Sequence, residues 1–83
     1  VRLARAAGAT GGTAPAVFNA ANEIAVDAFR NGDLGFTGIV DTIDAVLARH
    51  TPVVGDEFTL AAVDAADRWA RAEALDLIPV GVN

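Results

Sequence analysis

The sequence predicts an all-α fold, a small antiparallel helical bundle of three long helices with a short N-terminal helix in front. Three observations predict it. Alanine, the best helix former, supplies 19 of the 83 residues. Three stretches repeat apolar residues at three- and four-residue steps, each bounded by glycine or proline. No stretch alternates apolar and polar residues in the manner of a half-buried strand.

Residues 1–7, VRLARAA, have helix-forming composition, and Gly8 suits the left-handed position that ends a helix. The glycine-rich GATGGT follows as a loop, so residues 1–12 read as a connector with a short helix. Thr13 is the expected N-cap of the first long helix, with Pro15 in its first turn, where no N–H is needed. Val17, Ala21, Ile24, Ala25 and Ala28 share one face, widened by Phe18 and Phe29. Arg30 suits the carbonyl end of the dipole, and Gly32 stops the helix.

DLGF then turns the chain, and Thr37 is the expected cap of a helix reaching about His50. Ile39, Val40, Ile43, Val46 and Leu47 form its stripe, with Asp41 and Asp44 on the other side. TPVVGDEF, residues 51–58, reads as a loop whose Val53, Val54 and Phe58 cover the end of the core. Thr59 caps the last helix, whose stripe is Leu60, Val63, Ala66, Ala70, Ala74 and Leu77, flanked by Trp69. Pro79 ends it, and residues 79–83 are expected to fray.

The length sets one domain, 1–83, that buries only about 60% of its unfolded surface. The net charge of −5 repels phosphate backbones, so nucleic acid is not an expected partner. No apolar run reaches the ~20 residues that span a bilayer, and no signal peptide opens the chain. The absence of cysteine fits a cytoplasmic setting. Ser, Cys, Lys, Tyr, Met and Gln are all missing, which removes most nucleophiles and any Schiff-base lysine. Without an initiator methionine, the chain is expected to be a piece of a larger polypeptide.

The polar insert in PAVFNAANEIAVDAF is the first candidate site: Asn19, Asn22 and Glu23. A hard divalent cation wants about six oxygens, and one helix offers few of them. The better expectation is a structural polar cluster. Asn22, at the edge of the core face, would bond to backbone in a neighbouring loop, with Asn19 and Glu23 nearer solvent or a contact with an absent domain. Its replacement by alanine would then cost about 1–3 kcal/mol. Asp41/Asp44 and Asp64/Asp67 are spaced to share a cation but read as solvated faces. His50, the only histidine, reads as a helix-terminal residue rather than a base. GATGGT could cradle a phosphate but lacks the lysine and the preceding strand of a P-loop. No catalytic, cofactor or metal residue is assigned.

One resemblance extends this reading. APAVFNAANEIAVDAF, then DLGFTGIVDTIDAVL, then TLAAVDAADRWARAEA, with LARAAGATGG in front, is similar to the C-terminal helical domain of the 1-deoxy-D-xylulose 5-phosphate reductoisomerase family. The match runs over about residues 3–75, and NAANE followed by Gly35, Phe36 and Ile39 is its most specific part. The resemblance implies a parent oxidoreductase of the non-mevalonate isoprenoid pathway. That parent would form 2-C-methyl-D-erythritol 4-phosphate with NADPH and a divalent cation, Mg or Mn. It also implies that the cofactor fold, metal-binding acids and active-site histidine lie in other domains, and that the catalytic domain of the parent chain is this domain's partner. The domain itself is expected to carry no cofactor and no activity, and an apolar face left uncovered could make the fragment a homodimer. The alternatives are a small acidic interaction module and a fragment that itself binds NADPH or substrate. A carrier-protein version of the module lacks the serine it would need.

Overall fold

The computed structural model describes Ala7 and residues 10–79. These form three helices, α1 (Ala14–Arg30), α2 (Phe36–Arg49) and α3 (Leu60–Leu77), with a 3₁₀ turn at Gly55–Glu57 before α3. Among the described residues there is no strand. Of the short helix expected over 1–7, only Ala7 is described, and it is helical. The expected tail is described only at Pro79.

The helices run up, down and up. Glu23 of α1 meets Arg71 of α3, and Ile24 and Ala28 lie by Ile78, so α1 and α3 share a direction. Thr42 of α2 lies near Leu77 and Arg49 near Glu73, which sets α2 antiparallel to α3. α1 is the central element, packed extensively on both others.

Alanine explains that packing. Ala20 and Ala21 of α1 and Ala70 and Ala74 of α3 are all fully buried, with Ala66 nearly so. Their spacing on α3, every fourth residue, lines one face with methyl groups and lets the backbones approach. Val17, Ile43 and Val46 fill the remaining space, with Phe18, Ile24, Ile39, Leu47, Trp69 and Leu77 packed around them. An alanine seam buries little apolar area per residue, so these larger side chains carry much of the hydrophobic stabilisation, at about 0.8 kcal/mol per buried CH₂.

The helix ends follow the sequence in part. Gly32, at φ 83°, closes α1. Its N–H goes to the Phe29 carbonyl and that of Asp33 to Ala28, the paired bonds of a Schellman end. Thr59 caps α3 as expected, accepting the Ala62 N–H at 3.1 Å. Thr37 does not cap α2. The helix begins two residues earlier, at Phe36 with Gly35 as N-cap, leaving Thr37 inside the first turn. At that junction the Phe36 ring meets Phe29 edge-on, centroids 6.0 Å apart.

Thr13 departs most. Its backbone is already helical (φ −81°, ψ −6°) and its side chain makes no capping bond. A cap needs the β-region to turn its hydroxyl onto the helix N–H groups. Here the hydroxyl turns away, toward the segment after α2. Coverage of the core end by that segment is only partial, since Val54 and Phe58 are about half exposed. Leu60, expected in the α3 stripe, is 90% exposed.

Candidate functional site

A polar joint links the start of α1 to the segment after α2. Thr13 is fully buried. Its hydroxyl accepts the Val53 N–H at 2.9 Å and lies 2.7 Å from His50 Nε2. Its own N–H donates to the Val53 carbonyl at 3.2 Å, so two backbone groups of Val53 are tied to one residue. Gly12, at φ 56°, makes the approach possible: a Cβ there would overlap the Val53 carbonyl oxygen.

His50 is the C-cap residue of α2 and is half-buried. Its ring lies tilted on Trp69, centroids 5.4 Å apart. Burial lowers its pKa, so the imidazolium suggested by its place at a helix end is disfavoured. The Trp69 ring forms one wall of an open cleft of about 350 Å³ whose other walls include Arg49, His50, Ala62 and Ala66.

A hydroxyl against an imidazole has the form of a nucleophile and its base. Here the pair is structural. The hydroxyl oxygen is enclosed and already accepts a backbone N–H, so no substrate atom can reach it. Of GATGGT, residues 10–13 are described, and the helix start beside them gives the phosphate-cradle reading no support. The Thr13 N–H goes to the Val53 carbonyl and the Ala14 N–H to Gly11, and Pro15 has none. Thr13, Ala14 and Pro15 therefore offer an anion no free N–H.

Asn19, Asn22 and Glu23 do not converge. Asn19 and Glu23 are exposed and Asn22 is half-buried. Glu23 accepts from Arg71 at 3.0 Å, and Arg71 also binds Asp67 at 3.0 Å. These bonds, that to Asp67 first, raise the Arg71 pKa, so the charge is fixed. Among the hydrogen bonds of the described residues none involves the Asn22 side chain. The expected bridge to a neighbouring loop is instead made by Thr13, because the residue at the helix start, not the one two turns in, lies beside that loop.

Asp64 pairs with Arg68 at 3.0 Å, and Asp41 and Asp44 are exposed. Among the described residues no three acidic or histidine side chains gather closely enough to hold a metal ion. The same residues offer no glycine turn after a strand for a dinucleotide. These residues therefore fit neither group. No helix among them is long and apolar enough to cross a membrane.

Sequence comparison agrees with this helical body. Residues 1–73 match the family described as DXP reductoisomerase C-terminal domain. The chain is 59% identical over 78 residues to 1-deoxy-D-xylulose 5-phosphate reductoisomerase of Kitasatospora griseola, covering 93% of this chain and 20% of that protein. It is 55% identical to the Streptomyces avermitilis enzyme of the same name, with the same coverage. Against that of Cutibacterium acnes it is 52% identical, covering 100% of this chain and 23% of the relative. The chain thus spans about a fifth of the length of these relatives. With most of its residues matched and its described part built of helices alone, the chain belongs to the DXP reductoisomerase C-terminal domain family.

Proposed function

We propose that these residues serve as the C-terminal helical domain of a cytoplasmic reductoisomerase. The parent would convert 1-deoxy-D-xylulose 5-phosphate to 2-C-methyl-D-erythritol 4-phosphate with NADPH and a divalent cation. The single observation that carries this reading is the family match over residues 1–73. The domain's part is mechanical. It braces the catalytic domain and contributes no bond-making group, which accords with the enclosure of its one hydroxyl–imidazole pair. NADPH and the cation would be held by the remainder of the parent chain.

Two features support docking to that remainder. Phe36 is 73% exposed and stands with Phe29 and Val40, both also exposed, around the α1–α2 turn. On α1, Asn19 is exposed and Asn22 half-buried, and both would face the parent, whereas Glu23 is held by Arg71 within the domain. Left uncovered, the apolar residues would drive the isolated chain to self-associate, as a homodimer.

The test is deletion. A full-length polypeptide carrying this domain oxidises NADPH when given 1-deoxy-D-xylulose 5-phosphate and Mg. Removing residues 14–79 lowers that rate or leaves the protein insoluble. Undiminished turnover by a soluble truncated protein would refute the bracing role.

A further inference from the structure

The joint at Thr13 makes a demand on protons. A hydroxyl has one proton to donate and two lone pairs. On Thr13 one lone pair accepts the Val53 N–H, and the remaining contact is His50 Nε2 at 2.7 Å. Among the described residues these are the hydroxyl's two partners, and Thr13 is fully buried. For the hydroxyl proton to have a partner, it must point at Nε2, and Nε2 must then be bare. A neutral ring with bare Nε2 carries its proton on Nδ1. Adding a proton to Nε2 turns the ring into a donor and strands the hydroxyl proton in an enclosed joint.

We propose that Thr13 and His50 form a proton-gated clasp. Neutral His50, protonated on Nδ1, holds the start of α1 against residues 50–54, and protonation of Nε2 releases it.

The surroundings favour the neutral ring. The cleft side presents Arg49, Thr51, Ala62, Ala65, Ala66 and Trp69, and the only charged group among these is Arg49. Its guanidinium is matched by Glu73 at 3.4 Å, and no described ion pair joins a carboxylate to His50. Of the described residues on the opposite side, Ala7, Thr10, Ala14, Leu47 and Pro52, none is charged. The Trp69 face is the one group that would welcome a cation. Burial acts against it, and the net direction is a lowered pKa.

The sign follows. A folded-state pKa below the unfolded value gives stability that is present above about pH 6.5 and lost as pH falls through the folded pKa. Ordinary charge repulsion predicts the opposite, because acidifying a chain of net charge −5 relieves it.

The chain has one histidine, so its ring resonances are unambiguous. Nitrogen-15 NMR on the 83-residue chain reads tautomer and titration together. The clasp requires an Nδ1–H tautomer and a midpoint below 6.5. It also requires a melting temperature lower by about 4–8 °C at about pH 5.5 than at about pH 7.5, the shift of one hydrogen bond in a domain this size. Thr13→Ser keeps the depressed midpoint. Thr13→Val returns it toward the ordinary value. An Nε2–H tautomer, a midpoint at or above 6.5, or acid stabilisation in the unmodified chain overturns the clasp, whether or not the variants fold.

Discussion

Replacing Gly12 by alanine probes the joint between α1 and residues 50–54 through its backbone. Gly12 sits at φ 56°, where a Cβ costs about 1–2 kcal/mol from backbone sterics alone. The added Cβ would also overlap the Val53 carbonyl oxygen and lie 2.5 Å from Val54 Cγ1. Moving that carbonyl breaks the Thr13 N–H bond to it, a further net loss of about 0.5–1.5 kcal/mol. The expected total is about 2–3 kcal/mol, or roughly 10–20 °C in melting temperature for a domain this size. Gly32 supplies the control. Its φ is 83°, but nothing lies within 4 Å of an added Cβ. Gly32→Ala therefore bears the backbone cost without the collision. Urea unfolding followed by circular dichroism compares the two. Gly12→Ala should be weaker than Gly32→Ala by about 1 kcal/mol. Equal midpoints at equal slope would refute the close approach and with it the account of the joint.

Three other substitutions are each expected to give a definite result. Ala70→Leu forces four-carbon bulk into the fully buried seam between α1 and α3, costing about 1–3 kcal/mol by the same unfolding assay. Arg71→Met removes the links to Glu23 and Asp67, both at least partly exposed, at a cost of about 0.5–1.5 kcal/mol. That loss should shrink in about 1 M salt, where screening extends only ~3 Å. Asn22→Ala changes stability by no more than about 0.5 kcal/mol, because the amide is half-buried and bonds to nothing described. A loss of 1–3 kcal/mol in the isolated chain would restore the structural bridge that the sequence suggested.

The helices were legible because their signals are local. Repeats of three and four residues placed all three, with bounds within two residues of Ala14–Arg30, Phe36–Arg49 and Leu60–Leu77. Val17, Ala21, Ala25, Ala28, Ile43, Val46, Ala66, Ala70 and Ala74 lie on the expected apolar faces and are buried. Ala20 was passed over, since a methyl group registers weakly in a hydrophobic pattern whichever way it faces. Leu60 was picked wrongly, because the first turn of α3 extends into solvent where the stripe has nothing to meet. The joint was not legible. Thr13 and His50 are 37 residues apart, and Arg71 and Glu23 are 48 apart. No periodicity reports which polar side chains the helix directions will bring together. One signal was available: a glycine pair directly before a threonine, with a proline two residues on, marks a place where backbone can approach backbone. The expectation of no bond-making group rests on the missing residue types, and the parent's reaction is suggested only by resemblance.

As proposed, these 83 residues are a scaffold and the parent does the chemistry. The most direct measurement is NADPH oxidation by the purified chain supplied with 1-deoxy-D-xylulose 5-phosphate and Mg, beside the full-length polypeptide. The scaffold account predicts no rate above background for the chain and steady turnover for the full-length protein. Substrate-dependent oxidation by the chain alone would contradict it.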